Sequence, residues 1–211
     1  KRSIKTLGYI FLTMTSIENI TIERHPLEPF LPAGARVLML GSFPPKRERW
    51  SMDFFYPNRQ NDMWRVMGLI FHENAHHFET ADRRGFDRER IVDFCTEKGI
   101  ALYDTACQVR RLKDNASDKF LEVVTPTDII ALLRQIPDCR AIITTGEKAT
   151  SVITSLAQCL SPAVGTKVDI SLDGRELHLW RMPSTSRAYP LKFEKKAEFY
   201  RQMFVGEGFA I

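Results

Sequence analysis

Short, nearly continuous apolar runs alternate along the chain with longer stretches whose apolar residues recur every three or four positions. Residues 36–40, introduced by Gly34, read as a parallel strand covered on both faces. Further strands are expected at 100–103, ending in Asp104, and at 140–144. Helical spacing marks 61–71 and 87–98, the second stopped by Gly99 as its C-terminal cap. Thr125 as N-cap and Pro126 at the first helical position predict a helix to about residue 135. Gly146 leads into another at 147–159, and the last helix runs over about 191–205. Asp173-Gly174 joins two runs, 167–172 and 176–181, as a hairpin. Such alternation predicts a three-layer α/β/α sandwich around a mainly parallel central sheet. Residues 34–211 would form one domain, behind an N-terminal extension and proline-punctuated lead (Pro26, Pro29, Pro32) over 1–33.

Two loops rich in small residues and proline follow apolar runs: Gly41-Ser42-Phe43-Pro44-Pro45 and Met182-Pro183-Ser184-Thr185-Ser186. In an open α/β sheet ligands bind at the carboxyl ends of strands, so the loops read as two rims of one cleft. A third segment, Pro57-Asn58-Arg59-Gln60-Asn61-Asp62-Met63-Trp64, places carboxamides where a helix begins, beyond a loop carrying Trp50, Phe54, Phe55 and Tyr56. There an asparagine caps the helix, points into the cleft, or does both. The first loop matches neither a P-loop nor a dinucleotide fingerprint. No G-x-S-x-G elbow surrounds Ser42, Ser184 or Ser186, which as bare serines are turn or capping residues.

Charge adds a partner class. The formal net charge is only +4, yet Lys46, Arg47 and Arg49 cluster behind the first loop and Arg110, Arg111 and Lys113 form a second group. Local basic patches suit a polyanion, although a solvated surface carries the same residues. Cys95, Cys107, Cys139 and Cys159 are widely spaced without a C-x-x-C pair, which argues against a zinc ribbon or disulfide scaffold and fits a reducing, cytoplasmic setting. His72 and His76 share a helix face beside His77, but zinc needs further fixed ligands and the following segment is irregular, so solvated histidines are expected. The apolar residues 7–12 behind Lys1, Arg2 and Lys5 are too few for a signal peptide, and Met14 is the expected natural start. No apolar run reaches transmembrane length.

Taken in order and spacing, these segments resemble the uracil-DNA glycosylase superfamily over about residues 37–200, most nearly its hypoxanthine-acting and mismatch-specific branches. Residues 41–45 look like the first catalytic motif; Pro57, Asn61 and Trp64 are similar to a P-x-N-x-F-W element. Residues 99–104, with Arg110 and the segment 114–118 behind them, resemble the middle of the hypoxanthine branch, and 182–186 the second motif. The resemblance implies a monofunctional DNA repair glycosylase that flips out and releases uracil or hypoxanthine without metal or cofactor. Asn61 and Ser42 would be catalytic, and Gly41, Phe43, Pro44, Tyr56 and Asn58 would hold the base. Ser184, Thr185, Ser186 and Arg187 would pinch and wedge the DNA, with Lys46, Arg47 and Arg110 on its phosphates. A monomer acting on DNA with deaminated bases is implied.

Three departures bear on those roles. Phe43 replaces the polar residue that positions water in several branches, an apolar substitution shared with the hypoxanthine branch, where the helix-start asparagine takes over. Two extra residues separate Pro57 from Asn61, leaving Asn58 a rival, and Met182 stands where histidine or asparagine often precedes the proline. A non-catalytic lesion binder on the same fold, or a hydrolase of free nucleosides or nucleotides, remains an alternative.

Overall fold

The computed structural model describes residues 21–112 and 120–211. Lys1, Arg2, Lys5, the run 7–12, Met14, Lys113 and the segment 114–118 lie outside the described residues.

Five strands make the central sheet: β2 (Val37–Gly41), β3 (Ile100–Asp104), β6 (Ala141–Thr145), β7 (Thr166–Leu172) and β8 (Arg175–Met182), in the order β3-β2-β6-β8-β7. All neighbours are parallel except the β7–β8 hairpin. Every residue of β2 and β3 is buried, which is why both read as unbroken apolar runs. At the hairpin Asp173 (φ 51°) and Gly174 (φ 74°) both take the left-handed conformation that a two-residue turn of the primed type requires.

Helices flank the sheet on both sides. The β2-to-β3 connection carries α1 (Met63–His72) and α2 (Arg88–Lys98), whereas α3 (Ile129–Gln135) and α4 (Glu147–Ala157) lie in the connections that lead to β6 and β8 on the other side of β2. Right-handed crossovers running in opposite directions from β2 place those pairs on opposite faces. The last helix, α5 (Phe193–Gly206), joins α1 and α2: Phe71 meets Phe94 and Phe204 edge-on, with centroids 5.1 and 5.0 Å apart. A three-layer α/β/α sandwich around a mainly parallel sheet results.

The helix expected to open at Thr125 begins later. Thr125 and Pro126 complete an edge strand, β5 (Leu121–Pro126), where Thr125 pairs with Gln108. A proline costs no ladder hydrogen bond there. Asp128 is the N-cap instead, its carboxylate accepting from Ala131 N at 2.9 Å. Similarly, α4 stops at Ala157 because Gln158 turns left-handed (φ 51°).

A second, three-stranded antiparallel sheet was not expected. It has the order β1-β4-β5, with β1 (Ile22–Arg24) and β4 (Ala106–Arg111) beside β5. β1 falls in the expected lead, and in the same lead Phe30 exchanges two backbone hydrogen bonds with Leu102 (3.0 and 2.9 Å). The small sheet stands at the carboxyl end of β3, since Thr105 alone separates β3 from β4.

Candidate functional site

Connections leave β2 and β6 in opposite directions although the two strands are neighbours. Their carboxyl ends therefore open the kind of crevice in which α/β sheets bind ligands. A cavity of about 530 Å³ occupies it, lined by both proline-rich loops, by the Tyr56–Asn61 segment, and by Asp104 and Thr145 from strand ends. The two loops are thus rims of one cleft.

Gly41 is glycine for want of room. It lies opposite Asp104 in the β2–β3 register, and a Cβ there would come 2.3 Å from Asp104 Oδ1. Gly41→Ala should therefore push the carboxylate aside and destabilise the fold by about 1–3 kcal/mol, the usual range for overpacking; a thermal melt reads it.

Among the described residues lining the cleft Asp104 is the only acidic one, and 7% of its surface is exposed. Its Oδ2 lies 2.9 Å from His25 Nε2. Around it, the first loop is braced from behind. Phe43 is half-buried against Ala106, Val109 and Leu121 of the small sheet, with the His25 ring edge-on at 5.3 Å. Pro44 O accepts from Arg111 at 3.2 Å, and Arg111 makes a two-pronged ion pair with Glu23 at 3.0 Å on each arm. Ser42 is half-buried on the cleft wall.

Tyr56 takes the left-handed conformation (φ 51°) and its hydroxyl meets Thr145 Oγ1 at 3.1 Å. Burial, reinforced by the negative charge of Asp104, pushes its phenol well above the usual range, so Tyr56 serves the cleft as a neutral hydroxyl and an aromatic wall.

Asn58 and Asn61 both reach the cleft, held differently. Among the described residues Asn58 Oδ1 accepts only from Gln60 N (2.9 Å), a local Asx turn. Asn61 Oδ1 accepts both from Met63 N at 2.9 Å, at the start of α1, and from the Thr185 hydroxyl at 2.7 Å. With the oxygen so engaged, the amide nitrogen Nδ2 has no hydrogen bond within the described residues and is the polar group that Asn61 offers the cleft. Asp62 occupies the N-cap position of α1, and Asn61, one residue before it, accepts from Met63 N while lining the cleft.

The second rim is stitched to this segment. Asp62 N donates to Thr185 O (2.9 Å), Arg187 N donates to Gln60 O (3.0 Å), and Asn61 bridges Ser186. Beneath the seam lies Lys196, 1% exposed, which donates to Ser186 O at 2.8 Å and pairs with the buried Asp62 at 3.4 Å. Thr185 is itself buried, whereas Ser184 and Ser186 are half-exposed on the rim.

No family model matches the chain, and no curated protein does. Its structure does have a match: the solution NMR structure of "a putative Uracil DNA glycosylase from Methanosarcina acetivorans" aligns with a TM-score of 0.64 at 22% identity, covering 90% of this chain and 100% of that one. The two chains share a fold.

The basic residues singled out in sequence are scattered by the fold. Arg187 is half-exposed beside the second rim, with its Nε 2.9 Å from Asp62. Lys46 is exposed next to the first rim, and Arg47 pairs with Asp53 while lying 4.3 Å above the Trp50 ring. Arg110 sits on β4, 3.6 Å from Glu122. Arg49, in the first cluster but given no role, lines the cleft.

His72 and His77 stack at 3.6 Å, and His76 pairs with Glu79 at 2.9 Å. Desolvation, with neighbouring Lys98 for His72 and with His72 and Arg90 for His77, lowers both imidazoles' affinity for protons. Among the described residues no three His, Cys, Asp or Glu side chains gather in a way that would hold a metal ion.

Asp104, Thr145 and His25 were not assigned in sequence. The first two end buried strands in polar residues at the carboxyl edge, a signal that was there to use. His25 had none: its partner lies 79 positions away.

Proposed function

We propose that the protein is a DNA glycosylase that hydrolyses the bond between deoxyribose and a deaminated base, uracil or hypoxanthine. One observation carries the reading: a carboxamide whose oxygen is tied down from two sides, so that a single N–H donor group faces a cavity of base-accommodating size. The base must be extruded from the helix to reach it, at a cost smallest for mispaired or single-stranded lesions.

In the extruded pose the base would stack beside Phe43 and Tyr56 and over Pro44, with Asn58 and Ser42 at its margin; Gly41 is buried and does not line the cavity. Water adds to the anomeric carbon as the glycosidic bond breaks, the bonding electrons leave with the base, and the proton that the added water sheds ends on the released base. A donor aimed at a base carbonyl oxygen is worth more as that charge grows than in the ground state. Asn61 Nδ2 would be that donor. Asp104 supplies the complementary group, since a carboxylate accepts and does not donate. Uracil and hypoxanthine both present a ring N–H beside a carbonyl, whereas cytosine and adenine turn a ring lone pair toward the same place.

Ser184 to Arg187 would press on the strand from the second rim, with Arg187 filling the gap left by the base. Lys46, Arg47 and Arg110 would meet phosphates. DNA affinity should then fall with salt at a logarithmic slope of about −0.9 per phosphate contact. Lys46→Ala should weaken binding evenly across sequences and flatten the slope by about 1. Affinity indifferent to salt contradicts the placement.

Comparing a lesion oligonucleotide with free deoxyuridine and deoxyinosine tests the substrate class. Base release from the oligonucleotide alone supports the glycosylase. Release from the free nucleosides alone assigns a nucleoside hydrolase, and tight lesion binding without release assigns a non-catalytic binder.

A further inference from the structure

The first strand of the described residues, β1, leads into a segment that reaches the cleft. Along residues 22–27 exposure alternates, so that Glu23, His25 and Leu27 turn inward while Ile22, Arg24 and Pro26 face out. The inward residues end on site groups: Glu23 on Arg111, which holds Pro44; His25 on Asp104; Leu27 on the cavity wall. His25 is the most enclosed, with 2% of its side chain exposed, and its ring lies 4.6 Å from that of Tyr103 as well as edge-on to Phe43. Its Nδ1 faces Leu27 O at 2.8 Å and Leu27 N at 3.2 Å, so the ring is held by its own loop in either protonation state. Because a carboxylate offers no proton, the 2.9 Å contact is a donation from Nε2 to Asp104 Oδ2.

We infer that His25 is a positioning residue for base release: it occupies Oδ2 of Asp104, fixes the carboxylate plane against Gly41, and leaves one acceptor oxygen for the N–H edge of the flipped base. The inference rests on the glycosylase reading and deepens it, by making β1 a working part of the site and by giving the acceptor a fixed direction. A second anchor of the same segment, Glu23 on Arg111, holds the first loop through Pro44. Without His25 the carboxylate is free to rotate and its second oxygen loses its donor. A hydrogen bond to a charged group is lost, which corresponds to about 10–100-fold in rate.

The experiment compares wild type, His25→Leu and His25→Gln in single-turnover base release from uracil and hypoxanthine oligonucleotides, alongside affinity for undamaged DNA and thermal melts. Glutamine can place an N–H near the position of Nε2; leucine fills the space without a donor. The expected result is a 10–100-fold slower step for His25→Leu, with undamaged-DNA affinity unchanged, and recovery to within a few-fold of wild type in His25→Gln. If leucine and glutamine variants lose activity only in proportion to lost folded protein, His25 is structural and the inference is overturned. Equal rates for wild type and a folded His25→Leu overturn it too while leaving the glycosylase reading intact. A wild type that releases no base from either oligonucleotide overturns both.

Discussion

Asn61→Ala is expected to slow base release by about 10²–10³-fold in single turnover, the loss that follows removal of one preorganised donor from a site of developing charge. Affinity for undamaged DNA should be nearly unchanged, because Asn61 faces the cavity and not the basic rim. The variant also loses the acceptor of Met63 N at the start of α1 and the acceptor of the Thr185 hydroxyl. Stability should therefore fall by about 1 kcal/mol. Asn61→Asp separates the two losses. Aspartate keeps both acceptor contacts at Oδ1 and replaces the donor by a second acceptor, so stability should recover while the rate does not. A near-normal single-turnover rate for either variant removes Asn61 from the chemistry, and Asn58, on the same wall, becomes the residue to test.

The second large effect is expected at Lys196, which does not itself line the cleft. Lys196→Met removes a donor to Ser186 O, which keeps only the N–H of Tyr189 among the described residues, and one partner of the buried Asp62. Breaking a buried ion pair from one side is costly because the other charge stays behind. Arg187 and, at 3.7 Å, Arg65 still face Asp62, which keeps the loss near the lower end of the range, about 3 kcal/mol. For a chain of this size that is a fall in Tm of roughly 6–12 °C. Adding Asp62→Asn should return part of the loss, since the double variant no longer buries an uncompensated charge. A double variant less stable than Lys196→Met would show that Asp62 is held chiefly by the arginines.

Both residues belong to the seam that joins the second rim to the helix-start segment, more than 120 positions away in sequence. The rims themselves were legible, because they follow buried strands whose apolar runs have no other reading and because glycine, proline and serine mark the turns. Gly99 as a cap and Asp173-Gly174 as a hairpin were legible for equally local reasons: each needs a left-handed backbone that few residues adopt cheaply. Lys196 was not legible. On an amphipathic helix a lysine reads as solvated, and only the fold reveals that carbonyls of the second rim and Asp62 surround its ammonium group. The small sheet was hidden differently. β4 starts one residue beyond β3, and β1 is three residues long with one inward position, too short for a period to show. Thr125 and Pro126 misled because the pair that opens a helix also suits the end of an edge strand; Asp128 and its contact with Ala131 N decide the matter. What could not be read was thus what holds the site: His25 on Asp104, Glu23 on Arg111, Lys196 under the seam. Each is a pairing of residues remote in sequence.

The account stands on base release from DNA. Its most direct test incubates the wild-type protein with oligonucleotides carrying uracil, hypoxanthine or xanthine, single-stranded and paired with each base, and scores alkali-sensitive abasic sites together with the liberated free base. The account predicts abasic sites and free base in equal amounts at uracil or hypoxanthine, faster in weakly paired or single-stranded contexts, with undamaged strands intact. An intact panel, with no base liberated from any lesion, would contradict it.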